Sequence, residues 1–349
     1  MTLDWLGKSM KKTLLAAAIP ALMFANGASA VELYNDGVNS VSMGGHLTVE
    51  LSDKNGDTQL GANSPRINFS FNRDLGDGFK LDSRIEMGMS NFVTSGESFS
   101  TRLGYIGVGH DDYGRLSAGK QWSVYYDVTA ATDMPIAWGS DSLFSYANGT
   151  DGGKLGLGRA DQSVQYRNGV SLGNAGDLNF GVQWQGANDI YDDRLSASVT
   201  YGIAGVKLGY AYSGGDVDYA ANGGVKDANV HAFSAAYGTY GKGLYLAGAY
   251  AMSENLQNSE LAGNAIIADE ADGYEALAAY GLNNGLNLYV LYQGVEDTTN
   301  DLTVQEYTNF GAEYKLTPNT VVYGAYKVDH GSDIKDTDDG FAVGLRIFL

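Results

Sequence analysis

The chain ends in Phe341-Ala-Val-Gly-Leu-Arg-Ile-Phe-Leu349, a stretch in which apolar residues alternate with mostly small or polar ones. Successive side chains of a β-strand point to opposite faces. One face would therefore carry Phe341, Val343, Leu345, Ile347 and Leu349. Because Arg346 would lie on the other face, the strand needs core or lipid on one side and water on the other. The C-terminus therefore predicts an amphipathic strand.

The same two-residue period recurs almost to the N-terminus, with turn residues between the periodic segments. These segments predict sixteen strands near 41–51, 65–73, 79–89, 101–109, 115–121, 160–169, 177–186, 194–202, 205–213, 228–238, 243–252, 273–281, 285–294, 305–315, 319–328 and 339–349. After position 30 there is no apolar run of about 18 residues or more, which excludes a helical membrane span. Many strands and no predicted helix indicate an all-β chain that closes into a barrel.

The predicted connections alternate between short and long. Even-to-odd connections are short, such as Ile203 to Ala204, and odd-to-even connections are generally longer, as at 253–272. Outer-membrane barrels have short turns in the periplasm and long external loops. Four strands end before a short turn in a tyrosine, namely Tyr201, Tyr237, Tyr280 and Tyr314. Because an amphipathic ring suits a membrane interface, the pattern favours a transmembrane barrel over a water-soluble all-β protein.

The first thirty residues have the pattern of a secretory signal peptide. Lys11 and Lys12 precede an apolar run over 14–24, and Ala28-Ser29-Ala30 provides a cleavage site. We expect residues 1–30 to be removed, with residues 1–9 as an extension before a natural start at Met10. Residues 31–349 are then expected to form one barrel domain, closed by pairing of the strand around residues 41–51 with the C-terminal strand, because an open edge in lipid would leave backbone groups unpaired.

Charge and cysteine content exclude several classes of protein. The formal net charge is -19, and residues 1–30 carry +2, so residues 31–349 carry -21. Nucleic acid is an unsuitable partner for such an acidic chain, because phosphate contact needs a basic surface. The chain contains no cysteine. We therefore expect neither disulfides nor a thiolate-bound metal.

The long segment between Trp122 and Arg159 is the part of the sequence that says most about the kind of protein. Its stretch Tyr125-Tyr-Asp-Val-Thr-Ala-Ala-Thr-Asp-Met-Pro-Ile-Ala-Trp-Gly-Ser-Asp141 resembles the third loop of the trimeric general porins of Gram-negative bacteria. Three more segments resemble that family in the same order, namely Val31–Gly37, Thr101–Gly107 and Leu157–Asn168. The resemblance implies a 16-stranded antiparallel transmembrane barrel in the outer membrane, assembled as a homotrimer, with the long third external loop folded into the lumen. Leu349 replaces the family's common terminal Phe.

The resemblance also implies a constriction in which acidic loop residues face basic residues of the wall. By motif position, the wall residues are Arg66, Arg102 and Arg159, with His46 where a lysine is usual and Lys120 beside them; the loop residues are Asp133, Trp138 and Asp141. Independently, the two-residue period turns His46, Arg66 and Glu86 inward. Ala137 stands where the family has a second acid, which weakens cation preference, whereas the charge of -21 attracts cations. We therefore predict modest ion selectivity and do not predict whether cations or anions are preferred.

Other motifs do not meet the requirements of their chemistry. Gly169-Val-Ser-Leu-Gly173 fits a nucleophile pattern but lies in a short turn with no helix to follow. Asp53–Asp57 starts like a calcium loop, but the positions that need glycine and glutamate hold Thr58 and Ser64. The four histidines lack zinc-ligand spacing. The sequence therefore predicts no catalytic site, metal or cofactor.

Together, these patterns predict a porin, a water-filled channel for passive diffusion of ions and small hydrophilic solutes, with outer-membrane lipid and lipopolysaccharide around it. One alternative is a saccharide-selective porin, because the Trp138 ring could stack on a sugar. The other alternative is a barrel without a pore, acting as an adhesin or an enzyme.

Overall fold

The structure is a computed structural model that describes residues 30–54, 56–96, 99–147, 153–220, 223–335 and 337–349. The predicted signal peptide, except for Ala30, lies outside these residues. In the described part of the chain, no helix is long and apolar enough to cross a membrane.

Twenty strands follow one another in the described residues. They are β1 (Val31–Asn35), β2 (Asn39–Lys54), β3 (Asp57–Gly61), β4 (Arg66–Gly76), β5 (Phe79–Met89), β6 (Phe99–His110), β7 (Gly114–Trp122), β8 (Arg159–Ser171), β9 (Asp177–Gln185), β10 (Arg194–Ile203), β11 (Val206–Asp218), β12 (Val225–Thr239), β13 (Lys242–Glu254), β14 (Asn258–Leu261), β15 (Asn264–Ile267), β16 (Glu270–Gly281), β17 (Leu286–Asp297), β18 (Leu302–Thr317), β19 (Thr320–Gly331) and β20 (Gly340–Phe348). One helical turn, α1 (Tyr126–Thr129), and a short 3-10 turn at Gly173–Ala175 interrupt the strands.

Sixteen of these strands form one closed antiparallel barrel, as predicted. The barrel strands are β2, β4 to β13 and β16 to β20. The others are extensions that the sequence period did not predict, because they are short and lie on connections: β3 continues the β2 hairpin, and β14 pairs with β15. The prediction of no helix was wrong at α1, a single turn that is too short to produce a helical period.

The two ends of the chain close the barrel side by side. β2 pairs with β20 from His46 opposite Phe348 to Ser52 opposite Ala342, and its first half pairs with β1. Leu349 donates its backbone N–H to the carbonyl of Gly45 (3.0 Å). Gly45 has φ +127°, and a Cβ there would lie 2.2 Å from the carbonyl oxygen of Arg66. The predicted pairing of the two terminal strands is thus confirmed, and it leaves no open sheet edge to face lipid.

Replacement of Leu349 by Asp is expected to lower the yield of folded barrel in outer membranes. The terminal residue continues the apolar face of β20, and a charge there near a membrane interface costs on the order of 1 kcal/mol. Heat-modifiable mobility of the membrane fraction on unboiled gels measures the yield. Leu349→Phe is the control and should assemble normally. Normal assembly of Leu349→Asp would mean that the terminal side chain does not help to close the barrel.

Apolar side chains alternate between exposed and buried around the wall, as β13 illustrates. Leu244, Leu246 and Met252 are exposed on the outer face, whereas Ala247 and Ala251 are buried on the inner face. Inner positions on other strands hold buried polar groups, for example Gln165, Gln183, Gln293 and Asn309. An apolar outside and a polar inside are the arrangement that a barrel in lipid requires.

Connections at the two ends of the barrel differ in length, as predicted. At one end, two-residue turns join neighbouring strands, for example Ala204–Gly205 between β10 and β11, where both residues have positive φ (51° and 83°). Such φ values are typical of tight hairpins. At the other end, the connection between β7 and β8 spans residues 123–158. This connection is called the lumen loop below.

Candidate pore constriction

The lumen loop packs by its apolar side against the inner face of the barrel. Its buried apolar residues are Tyr125, Val128, Leu143, Phe144, Leu155 and Leu157. They join one cluster with small wall residues, among them Ala211, Ala228, Ala232 and Ala251 on β11, β12 and β13. Because alanine leaves space beside the wall, these strands can accommodate a loop inside the barrel.

Polar side chains of β16 to β18 hold the tip of the lumen loop. Glu275 accepts hydrogen bonds from the Ser140 hydroxyl and from the Ser142 backbone N–H (both 2.9 Å). Glu313 accepts from the backbone N–H of Ile136 (2.9 Å), and Asn309 donates to the carbonyl of Ala137 (2.8 Å). Since the loop leaves from β7, on the other side of the barrel, these contacts carry it across the lumen.

An arginine cluster lies on β4, β5 and β6 around one carboxylate. Glu86 is 2% exposed, and its oxygens lie 2.8 Å from Nη2 of Arg84, 3.1 Å from Nε of Arg102 and 3.7 Å from Nη1 of Arg66. Gly88 makes room for this arrangement, because a Cβ there would lie 3.0 Å from Cδ of Arg102. Three positive charges share one negative charge, so this part of the wall remains electropositive.

Asp133 of the lumen loop is held within the loop. Its carboxylate accepts hydrogen bonds from the hydroxyls of Tyr126 and Tyr146, the latter at 2.9 Å, and from the backbone N–H of Ser140 (3.3 Å). Phenol donors stabilise an ionised carboxylate without adding positive charge. Asp133 therefore presents a negative charge from the loop side.

Asp141 is tied to the wall. It accepts a hydrogen bond from the hydroxyl of Tyr307 on β18 (2.8 Å). The residue belongs to the loop rather than to a membrane-spanning strand. Asp141 is exposed to the cavity, yet desolvation by the surrounding loop and wall raises its pKa to about 6, with Asp133 acting in the same direction, while the Tyr307 hydrogen bond opposes the shift. Asp141 can therefore change its charge close to neutral pH.

Wall and loop residues meet at one cavity of about 550 Å³. Five of the residues predicted for the constriction line it, namely His46, Arg66, Arg102, Asp133 and Asp141. A second cavity of about 800 Å³ extends toward the short-turn end, and His46, Arg66 and Phe348 line both cavities. These three residues therefore lie where the two water-accessible spaces meet.

The structure places the other four predicted residues elsewhere. Glu86 lines only the second cavity. Lys120 lines neither cavity and pairs with Asp161 (2.9 Å), because the β7–β8 register shifts between Gly119 and Gln121. Arg159 lies over the Trp122 ring, with Cζ 5.5 Å from the centroid, and that ring lines the cavity in its place.

Trp138 packs against the wall. It is half-buried, and a Cβ at Gly340 on β20 would lie 3.5 Å from Cζ2 of its ring. The residue has a positive φ of 46°, so the backbone turns sharply there. Trp138 does not line the cavity. This placement favours a role in anchoring the loop to the wall.

Sequence reasoning missed several charged residues of this region. Arg84 lies two residues before Glu86, so the same strand period that turns Glu86 inward could have found it. Arg346 was identified as polar-facing but was not assigned to the constriction. Asp127 of α1 accepts from Nε of Arg167 on β8 (2.9 Å), a pair that no local pattern indicates because 40 residues separate the partners.

Acidification from about pH 7.5 to about pH 5 is expected to shift ion selectivity toward anions. Asp141 is ionised above its pKa of about 6 and neutral below it, so the loop loses one negative charge beside the cavity. Reversal potentials in a salt gradient across a planar bilayer measure the shift. Asp141→Asn is the control and should remove most of the pH dependence. An equal pH dependence in that variant would assign the titration to another group.

Comparison with known proteins identifies the family and the fold. Residues 14–334 match the family described as Gram-negative porin. The outer membrane protein YedS of Escherichia coli is 30% identical over 96% of this chain and 99% of its own length. The outer membrane porin protein OmpD of Salmonella typhimurium is 29% identical over 97% of this chain and 99% of its own length.

Solved structures share the fold. A Salmonella typhi OmpF complex with daunomycin superposes with a TM-score of 0.76 at 22% identity, covering 91% of this chain and 100% of that one. An anion-selective porin from Comamonas acidovorans gives 0.69 at 15% identity, covering 89% and 100%. With the closed barrel, the inward loop and a family match over most of its length, the chain belongs to the Gram-negative porin family of the outer membrane.

Proposed function

We propose that this porin lets ions and small hydrophilic solutes diffuse passively through a lumen whose narrowest section lies between the lumen loop and the arginine cluster. The observation that supports this most strongly is the junction of the two cavities at His46 and Arg66, together with Asp133 of the lumen loop, which lines the cavity of about 550 Å³ that these residues share. Opposed charges across a narrow, water-filled section create a transverse field that acts on every passing ion.

The proposed roles follow from charge and position. Arg66 and Arg102, supported by Arg84 and balanced in part by Glu86, form the positive side, and Asp133 with Asp141 forms the negative side. Arg159 acts through the Trp122 ring rather than directly, and Trp138 keeps the loop against β20. Lys120 stabilises the wall through Asp161. With charge of both signs at the section, selectivity is modest.

Conductance of the purified protein in a planar bilayer tests this proposal. We expect stepwise, long-lived openings whose conductance rises with salt concentration, and passage of small sugars into liposomes without saturation. A protein that inserts as a folded barrel but conducts no ions would contradict the proposal and support the alternative of a barrel without a pore. Saturable block by sugars would support the saccharide-selective alternative. The position of Trp138 gives that alternative little support, because its ring packs against the wall.

The mature protein is proposed to be a homotrimer without enzymatic activity, embedded in outer-membrane lipid and lipopolysaccharide after cleavage behind Ala30. The apolar outer face of the barrel suits lipid contact, and the porin fold supports a channel. N-terminal sequencing of protein from outer membranes should begin at Val31. Cross-linking before and after heating should distinguish a trimer from a monomer.

A further inference from the structure

We propose that Arg346 is a selectivity-determining residue of the channel, supplying at the constriction the positive charge that His46 does not carry. The inference deepens the proposed function and rests on it, because it assumes that the cavity beside the lumen loop is the conducting path. Its basis is the position of Arg346 on the closing strand, the partners that hold its guanidinium, and the contacts of His46.

The barrel closure brings Arg346 to the constriction. In the β2–β20 register, Arg346 lies opposite Thr48, and His46 lies opposite Phe348 two residues further along. The neighbours Leu345 and Ile347 are exposed on the outer face, so the strand period turns Arg346 inward. Its side chain lines the same cavity as Arg66 and Arg102.

Neutral acceptors hold the Arg346 guanidinium. Nε donates to the Thr48 hydroxyl (3.0 Å), and Nη2 donates to the Asn63 side-chain oxygen (3.2 Å) and, more weakly, to the Asn63 carbonyl (3.4 Å). The side-chain amide of Asn63 donates a hydrogen bond to Glu50 (2.9 Å), so Asn63 lies between the guanidinium and this carboxylate. These hydrogen bonds fix the orientation of the guanidinium while leaving its charge in place.

Arg346 differs in this respect from the arginine cluster. Arg66, Arg84 and Arg102 each have a carboxylate oxygen of Glu86 within 4.0 Å. For Arg346, no carboxylate among the residues that the structure describes lies within that distance. Glu313 lines the same cavity and, with Glu50, attracts the Arg346 guanidinium from beyond that distance, so no direct ion pair cancels its charge. Arg346 should therefore add its own positive charge to that of the arginine cluster along the ion path.

His46 contributes hydrogen bonding rather than charge. The ring is buried, and its Nδ1 lies 3.1 Å from the Thr48 hydroxyl oxygen. Because that oxygen already accepts from Arg346, its proton is available for donation to Nδ1, an arrangement that fits a neutral imidazole. A positive charge on His46, which is buried between Arg66 and Arg346, would also be repelled by both. The positive charge at this point of the wall therefore comes from Arg346 on β20, beside His46 on β2.

Substitution of Arg346 tests the proposal through the reversal potential in a tenfold salt gradient. Arg346→Gln keeps a donor for Thr48 and Asn63 but removes the charge, and it should lower the anion-to-cation permeability ratio about threefold. One unit charge about 6 Å from the ion path acts in opposite directions on anions and cations, and salt at about 0.1 M roughly halves the interaction. Arg346→Lys should keep the ratio near that of the native protein. Lys226→Gln is the matched control, because it removes one charge at the loop end, where Lys226 pairs with Asp269. An Arg346→Gln shift no larger than the control would overturn the proposal.

A cysteine substitution allows the charge at position 346 to be changed within a channel that has already folded and inserted. The chain has no cysteine, so Arg346→Cys provides a unique thiol that can be modified after the channel has inserted into the bilayer. A cationic methanethiosulfonate reagent should move the ratio back toward anions, and an anionic one should move it further toward cations. Failure of the thiol to react, or equal effects of the two reagents, would show that position 346 does not face the ion path. Absence of any conductance in the native protein would instead refute the proposed function.

Discussion

Deletion of residues 131–141 is expected to raise single-channel conductance by about twofold or more and to admit larger neutral sugars. The deleted segment carries Asp133 and the contacts with Glu275, Glu313 and Asn309 that hold the loop across the lumen. Conductance through a water-filled pore is limited by its narrowest section, so removing the obstruction widens the path. Planar-bilayer recordings and liposome swelling with sugars of increasing size measure the two effects.

The remaining chain can close over this deletion. The Thr129 and Ser145 hydroxyls lie 2.8 Å apart, and the Tyr125 hydroxyl donates to the Leu143 carbonyl (2.9 Å), so the two arms of the loop already run side by side. Leu143 and Phe144 stay in the apolar cluster against the wall. The barrel should therefore still fold.

A matched deletion controls for a general effect of loop shortening. Residues Asn258–Ile267 form the β14–β15 hairpin, which pairs only with itself among the described residues. Removing this hairpin should leave conductance and sugar cut-off unchanged. If the lumen-loop deletion folds and also leaves both unchanged, the loop does not set the pore size.

Replacing Arg66, Arg102 and Arg159 together by Ala is expected to move the reversal potential strongly toward cations. Glu86 would keep only Arg84 as a salt-bridge partner among these arginines, and the wall would lose its excess positive charge. Loss of one unit charge close to the ion path changes the permeability ratio about threefold at about 0.1 M salt, so loss of the two charges that line the cavity, Arg66 and Arg102, should change it on the order of tenfold. The effect should be largest near 0.01 M salt, where the screening length is about 30 Å.

Single substitutions and a control triple variant separate position from net charge. Arg66→Ala and Arg102→Ala should account for most of the shift, because Arg159 lies over the Trp122 ring and does not line the cavity. Replacing Lys154, Lys226 and Lys242 by Ala removes the same charge from outside the cavity and should have a small effect. Equal shifts in the two triple variants would mean that net charge, rather than the constriction, sets selectivity.

The strand period was sufficient to predict the barrel. Sixteen alternating segments and their short turns predicted sixteen strands. The cost of an open sheet edge in lipid predicted pairing of the last strand with the strand around residues 41–51. The same local period turned His46, Arg66 and Glu86 inward. Such predictions succeed because the direction of a strand side chain depends on its own position along the strand. Observed strands extend further at the loop end, where hairpin pairing continues although the alternation has faded.

Which inward residues meet was decided only by the tertiary structure. Glu86 joins Arg66 and Arg102 because β4, β5 and β6 pair in one particular register, and Arg346 approaches Thr48 across 298 positions of sequence because the barrel closes there. A one-residue register shift took Lys120 to Asp161 instead. Contacts of this kind depend on register and closure, which a local period does not specify.

The lumen loop also combines a feature that the sequence predicts with contacts that only the tertiary structure decides. Its length and its resemblance to the third loop of general porins indicated an inward loop, since so long a connection between two strands of a polar-lined barrel needs a functional reason. The sequence by itself thus determined the barrel and its closure, and it indicated an inward loop. Where the loop attaches depended on alanines that leave space on β11 to β13 and on Glu275, Glu313 and Asn309, which lie more than 130 residues further along the chain. Only the folded wall brings these groups to the loop, and their contacts decide which charges face the water.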